Sequence, residues 1–152
     1  MEVAKALMYT CWLMYARQPT GIAPEMVQFQ AGQDFVVPGF TNFYILRPET
    51  VESLFILNRI TGAPVYRDWG FQIMRSLDKY CKAPYGYGAF PDVRDVNRRP
   101  EDSMESFFLA ETLKYLYLLQ DPDSSISLDE YVFNTEAHPL RIFPKGWRNN
   151  LK

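Results

Sequence analysis

Between Pro48 and Cys81 two runs with helical spacing, "PETVESLFILNRIT" and "PVYRDWGFQIMRSLDKYC", are separated only by Gly62 and Ala63. A proline fits the first turn of a helix because its missing N–H would go unpaired there anyway, and a glycine just past the last turn can adopt the left-handed cap. Pro48 and Gly62 therefore punctuate a helix from about Pro48 to Thr61, and Pro64 opens the next. So short a link obliges the two helices to double back on each other as an antiparallel pair.

Further helices flank this hairpin. Val3, Ala6, Leu7, Cys11 and Met14 recur at a spacing of three and four, which predicts a helix over Val3 to Tyr15 with one buried face. Ser103 is placed to cap a helix from about Met104 to Leu119. That helix is apolar almost all the way round, which implies burial on several sides. Residues 22–47 hold Pro24, Gly32, Pro38 and Gly39 around short pieces such as "DFVVP" and "FYIL", and read as extended segments and turns. Residues 83–102 read as a loop. In "FNTEAHP", Phe133 favours a strand, whereas Asn134 and Pro139 favour turns. Short links alternating with long loops suit a ring of helical hairpins whose loops gather at one end. A chain of 152 residues has the length of one domain.

Charge narrows the partners. With 16 basic against 18 acidic residues, a net charge of −2 and no basic run, nothing attracts a phosphate backbone or an anionic membrane surface. No nucleotide-binding glycine motif, nucleophile elbow or zinc signature is present. The apolar run Phe107 to Leu119 is broken by Glu111 and Lys114 and is too short to span a bilayer, and Glu2 and Lys5 interrupt the N-terminus before a signal-type apolar region. Cys11 and Cys81 lack metal-type spacing and read as buried free thiols. Aromatic residues, 16% of the chain, can fill a core or stack on sugar rings.

Acid chemistry is what remains. Glu49 and Glu52 share a helical face with no lysine or arginine three or four residues later. They either complement the helix N-terminus or line a polar cavity neutralised by Arg47, a metal ion or water. Glu111 lies in an aromatic and apolar stripe, either paired with Lys114 at the surface or buried with partners. Phe108, one turn before it, is either core or a stacking platform. Glu25 and Glu136 add acids in loops, and the single histidine, His138, reads as a turn residue. Any metal bound by these oxygen donors would be a hard cation.

Taken in order, "QPTGIAPE" (Gln18 to Glu25), "LRPETVES" (Leu46 to Ser53), "MESFFLAETLKYLYLL" (Met104 to Leu119) and "YVFNTEAHPL" (Tyr131 to Leu140) resemble class I α-1,2-mannosidases, glycoside hydrolase family 47. The resemblance implies a mainly α fold, an incomplete (α/α)7 barrel formed by its C-terminal helical hairpins, with a small C-terminal β-hairpin. It implies a calcium-dependent, inverting hydrolase that removes α-1,2-linked mannose from N-glycans. Glu49 would be the general base. Arg47, Phe108, Glu111 and Glu25 would bind substrate, with Phe108 stacking under the mannose ring. Thr135 would bind Ca²⁺ directly, with Glu52 and Glu136 acting through water. The partner would be the high-mannose N-glycan of glycoproteins, with neither nucleic acid nor nucleotide. The setting would be the endoplasmic reticulum or Golgi, with any membrane attachment through an N-terminal anchor missing from this sequence. Residues 1–152 are expected to form one incomplete domain, the C-terminal part of the catalytic domain, without turnover alone. The family cysteine matching Cys11 pairs with an upstream cysteine, which leaves Cys11 unpaired here. The alternatives are a mannosidase-like glycan-binding or quality-control protein and, from another class, a non-catalytic helical interaction module.

Overall fold

The computed structural model of the chain describes residues 1–121 and 125–144. Helix α1 spans Glu2–Ala16, α2 spans Glu49–Thr61 and α3 spans Val65–Tyr80. Pro48 caps the start of α2, its carbonyl accepting from the Glu52 amide at 2.9 Å, and Gly62 ends the helix in the left-handed region at φ 69°. The hairpin thus forms where its punctuation places it. Its inner faces bury Val51, Leu54, Phe55 and Leu57 from α2 and Tyr66, Gly70, Ile73 and Leu77 from α3.

The long apolar helix departs from the expected form. It begins at Ser106 rather than Met104, and Ser103 makes no side-chain cap. Residues Phe108–Leu113 form a π-helical segment, followed by α4 over Lys114–Gln120. Such a wider turn accommodates one extra residue in the ladder and re-aims the side chains around it. Burial on several sides does hold for Phe108, Thr112, Tyr115, Leu116 and Leu119, while Leu109 and Tyr117 face outward.

Helix α4 docks against both arms of the hairpin. Gly70 lets it approach, since a Cβ there would overlap Leu119 Cδ2. Polar seams fix the same interface. The Gln120 side-chain amide donates to the Arg67 carbonyl at 2.9 Å, Arg67 donates back to the Gln120 carbonyl at 3.1 Å, and Arg59 donates to the Leu118 carbonyl at 2.7 Å. These cationic donors satisfy carbonyls that the end of α4 leaves unpaired.

Helix α1 buries Met8 and Tyr15 but leaves Val3 and Leu7 exposed, so its apolar stripe is wider than its contact with α2. The long loops are pinned to each other rather than to strands of a sheet. Tyr44 and Phe90 exchange backbone hydrogen bonds at 2.9 and 2.8 Å, and the Thr20 hydroxyl donates to the Val93 carbonyl at 2.6 Å. Residues 83–102 also contain part of a small hairpin, β1 (Lys82–Ala83) with β2 (Gly86–Tyr87). The C-terminal hairpin pairs β3 (Tyr131–Phe133) with β4 (Pro139–Arg141) in antiparallel register, Val132 facing Leu140. Phe133 anchors it, its ring lying 5.7 Å from Phe55 and 5.6 Å from Tyr115. Cys11 is half-buried, Cys81 is buried, and both are free thiols.

The close approach at Gly70 is tight and that at Gly62 is not. Gly70→Ala should destabilise by about 1–3 kcal/mol through overpacking against a buried leucine. Gly62→Ala, with open space around the new methyl group, should cost about 1 kcal/mol from its left-handed backbone alone. Chemical denaturation of both variants checks that order.

Candidate active site

Three elements meet at a cavity of about 300 Å³. Arg47, Pro48, Glu49 and Glu52 come from the start of α2, Phe107 and Glu111 from the π-helical region, and Thr135 from the tip of the β3–β4 hairpin. Residues separated by almost ninety positions in sequence therefore share one opening.

The approach to α2 is unusual. Leu46, fully buried, adopts φ 69°, a conformation that costs an L-residue roughly 1–2 kcal/mol. Buried hydroxyls and a carboxylate hold the chain there. Thr112 Oγ1 donates to the Leu46 carbonyl at 2.6 Å and Tyr44 Oη to the Arg47 carbonyl at 3.0 Å. Glu25 accepts from the Ile45 amide at 3.1 Å and from Arg47 Nε at 2.8 Å. The turn at Leu46 sends the Arg47 side chain towards the cavity.

Arg47 is the hub. Its guanidinium pairs with Glu25, lies 3.8 Å from Glu49 Oε1 and sits 5.9 Å over the Phe107 ring. The hydrogen bond it donates to Glu25 and the nearby acids raise its pKa, so it stays a cation throughout. Glu49 is exposed to the cavity, whereas Glu52 is half-buried with the Tyr115 hydroxyl 3.4 Å away. Glu111 is buried, and its pKa is raised first by desolvation and then by the charges of Glu136, Glu49 and Glu52. Lys114 moderates this from a distance: its ammonium is bonded to the Ala137 carbonyl at 2.8 Å rather than paired with Glu111 at the surface.

Five of the expected residues thus line one cavity: Arg47, Glu49, Glu52, Glu111 and Thr135. Glu25 reaches it through Arg47. Glu136 stands beside it, exposed, with its amide donating to Asn134 Oδ1 at 3.1 Å. His138 takes the turn role, its amide bonded to the same oxygen at 2.8 Å. Phe108 requires a correction. It is fully buried with its ring 4.9 Å from Tyr87, so no sugar can stack on it. The ring at the cavity is Phe107, one residue earlier. Adjacent phenylalanines leave a helix about 100° apart, and the helical stripe alone does not tell which one faces a cavity.

Among the described residues, no three His, Cys, Asp or Glu side chains are grouped closely enough to chelate a metal ion directly. The cavity donors are oxygen atoms of carboxylates and a threonine, the kind that hard cations take, often through water.

The sequence matches the family described as Glycosyl hydrolase family 47 over residues 1–142. A mannosyl-oligosaccharide 1,2-alpha-mannosidase of Arabidopsis thaliana is 52% identical over 147 residues, covering 96% of this chain and 25% of that protein. The endoplasmic reticulum mannosyl-oligosaccharide 1,2-alpha-mannosidase of Homo sapiens is 49% identical over 151 residues, covering 94% of this chain and 22% of its own. An alpha-1,2-mannosidase structure from Trichoderma reesei superimposes with a TM-score of 0.80 at 32% identity, over 90% of this chain and 33% of that one. The chain belongs to glycosyl hydrolase family 47. Its mainly helical fold with a small β-hairpin corresponds to part of an (α/α) barrel, and it spans about a quarter of the length of these curated relatives.

Glu111 makes the acid cluster measurable. Because its folded pKa lies above the unfolded value, its contribution to stability is fully present below the unfolded pKa and is lost as pH rises through the folded pKa. Glu111→Gln should therefore be more stable than wild type at about pH 7 and lose that advantage below about pH 4. Urea denaturation across this range would show the two curves converging at the acid end.

Proposed function

We propose that this chain supplies the base-bearing and metal-bearing wall of a calcium-dependent, inverting α-1,2-mannosidase acting on high-mannose N-glycans. The reading is carried by the convergence of the α2 start, the π-helical region and the hairpin tip on one acid-lined cavity. Family membership and the names of the relatives supply the reaction class.

In this reading Glu49, accessible at the cavity, takes a proton from the attacking water. An inverting glycosidase needs that base on the face opposite the leaving group, with a second carboxylic acid beyond the sugar. No described residue is assigned the second role, and the 152 residues alone are proposed to lack turnover. Arg47, held by Glu25, donates hydrogen bonds to sugar hydroxyls. Phe107 offers the apolar face on which a pyranose ring stacks, and Glu111 accepts from a hydroxyl. A calcium ion bound here would polarise the water and fix the sugar hydroxyls. Thr135 would hold it directly and Glu52 and Glu136 through water, an arrangement consistent with the lack of a direct carboxylate cage among the described residues.

No described helix is long and apolar enough to cross a membrane. A working location in the endoplasmic reticulum or Golgi follows from the proposed substrate, N-glycans being processed there.

The reading predicts a calcium-dependent rise in Tm that EDTA reverses and that Thr135→Val removes. In a longer protein containing this segment, Glu49→Gln should lower kcat by about 10²–10⁴-fold with KM little changed. A wild-type melting curve indifferent to calcium would count against the metal, and normal turnover with Glu49→Gln against the base.

A further inference from the structure

Leu46 is matched by a second residue on the other side of the cavity. Among the described residues, Leu46 and Ala137 are the non-glycine positions with positive φ, at 69° and 55°, and both are fully buried. Each lies beside a working residue. Leu46 immediately precedes Arg47, and Ala137 follows Thr135 by two positions in the hairpin tip.

Each unfavourable conformation is held by its carbonyl, and both donors come from one short piece of chain. Thr112 Oγ1 donates to the Leu46 carbonyl at 2.6 Å, and Lys114 Nζ donates to the Ala137 carbonyl at 2.8 Å. Residues two apart on a helix leave it on nearly opposite sides. At the end of the π-helical segment this geometry reaches from the start of α2 to the hairpin tip. Local bonds add to the tip, where Asn134 Oδ1 accepts from the Glu136 and His138 amides, but these hold the tip only to itself. Lys114 connects it to the helix that carries Glu111.

We propose that Thr112 and Lys114 are positioning residues forming a two-armed clamp that sets the gap across the cavity. One arm fixes the peptide that aims Arg47 and Glu49, and the other fixes the tip that presents Thr135. The calcium readout of this clamp rests on the metal reading above, whereas its hydrogen-exchange readout does not.

The test compares wild type with Lys114→Met, which keeps the aliphatic stem, and Lys114→Arg, which keeps the charged donor. Amide exchange of Glu136, Ala137 and His138 should accelerate about tenfold in Lys114→Met, with α3 amides unchanged, and return towards wild type in Lys114→Arg. Calcium titration adds a test of sign. Removing a cation beside the cavity would, by charge alone, tighten binding of Ca²⁺, whereas the clamp predicts about tenfold weaker binding. For the other arm, Thr112→Val should accelerate exchange of the Ile45 amide, and Thr112→Ser should restore it. Unchanged tip exchange in Lys114→Met, or tighter calcium binding in that variant, would overturn the clamp. If calcium leaves wild type unaffected, the metal reading falls and the exchange comparison still decides the clamp.

Discussion

A single buried hydroxyl joins the wall of the site to its frame. Thr112 and Leu46 are 66 residues apart in sequence, and their hydrogen bond closes the space between the π-helical segment and the start of α2. A hydrogen bond of this kind contributes about 0.5–1.5 kcal/mol, comparable to the roughly 1–2 kcal/mol by which the Leu46 backbone is disfavoured. Bond and strain thus nearly offset each other. The remaining order comes from Tyr44, Glu25 and the apolar core beneath, and the result is an arginine and two glutamates aimed into one opening.

The charges around that opening form a graded series rather than a set of separate ion pairs. Glu25 is satisfied by Arg47, and Arg47 leans towards Glu49, which is left accessible. Glu52 has a weak tyrosine contact at 3.4 Å, and Glu111 is raised by burial and by its neighbours. Negative charge therefore accumulates away from Arg47, towards Thr135. In the proposed reading a sugar hydroxyl meets the Arg47 end, where donor and acceptor stand side by side, and a hard cation the other.

The sequence makes the hairpin legible because proline and glycine act locally: Pro48 and Gly62 fix the ends of α2 whatever else packs around it. The acids are legible for a similar reason, since Glu49 and Glu52 have no lysine or arginine three or four residues later on the helix. Their meeting with Thr135 is not local, and only the motif order of a known family suggested it. The π-helical turn left no signal, because "FFLAETL" has the periodicity of an ordinary buried helix. The same periodicity does not tell which of Phe107 and Phe108 faces the cavity. The positive φ at Leu46 and Ala137 was equally hidden, as neither is a residue type that favours it.

The wide turn at Phe108–Leu113 also bears on how such a site can be lost. Were the same residues wound as a regular α-helix, the extra residue would no longer be absorbed, and everything on one side of the stretch would rotate by about 100° relative to the other. Thr112 and Lys114 could then no longer face their carbonyls while Phe107 still faced the opening. Every acid and the threonine at the tip would survive in the sequence, so two chains alike in all their working residues could differ in whether those residues ever meet.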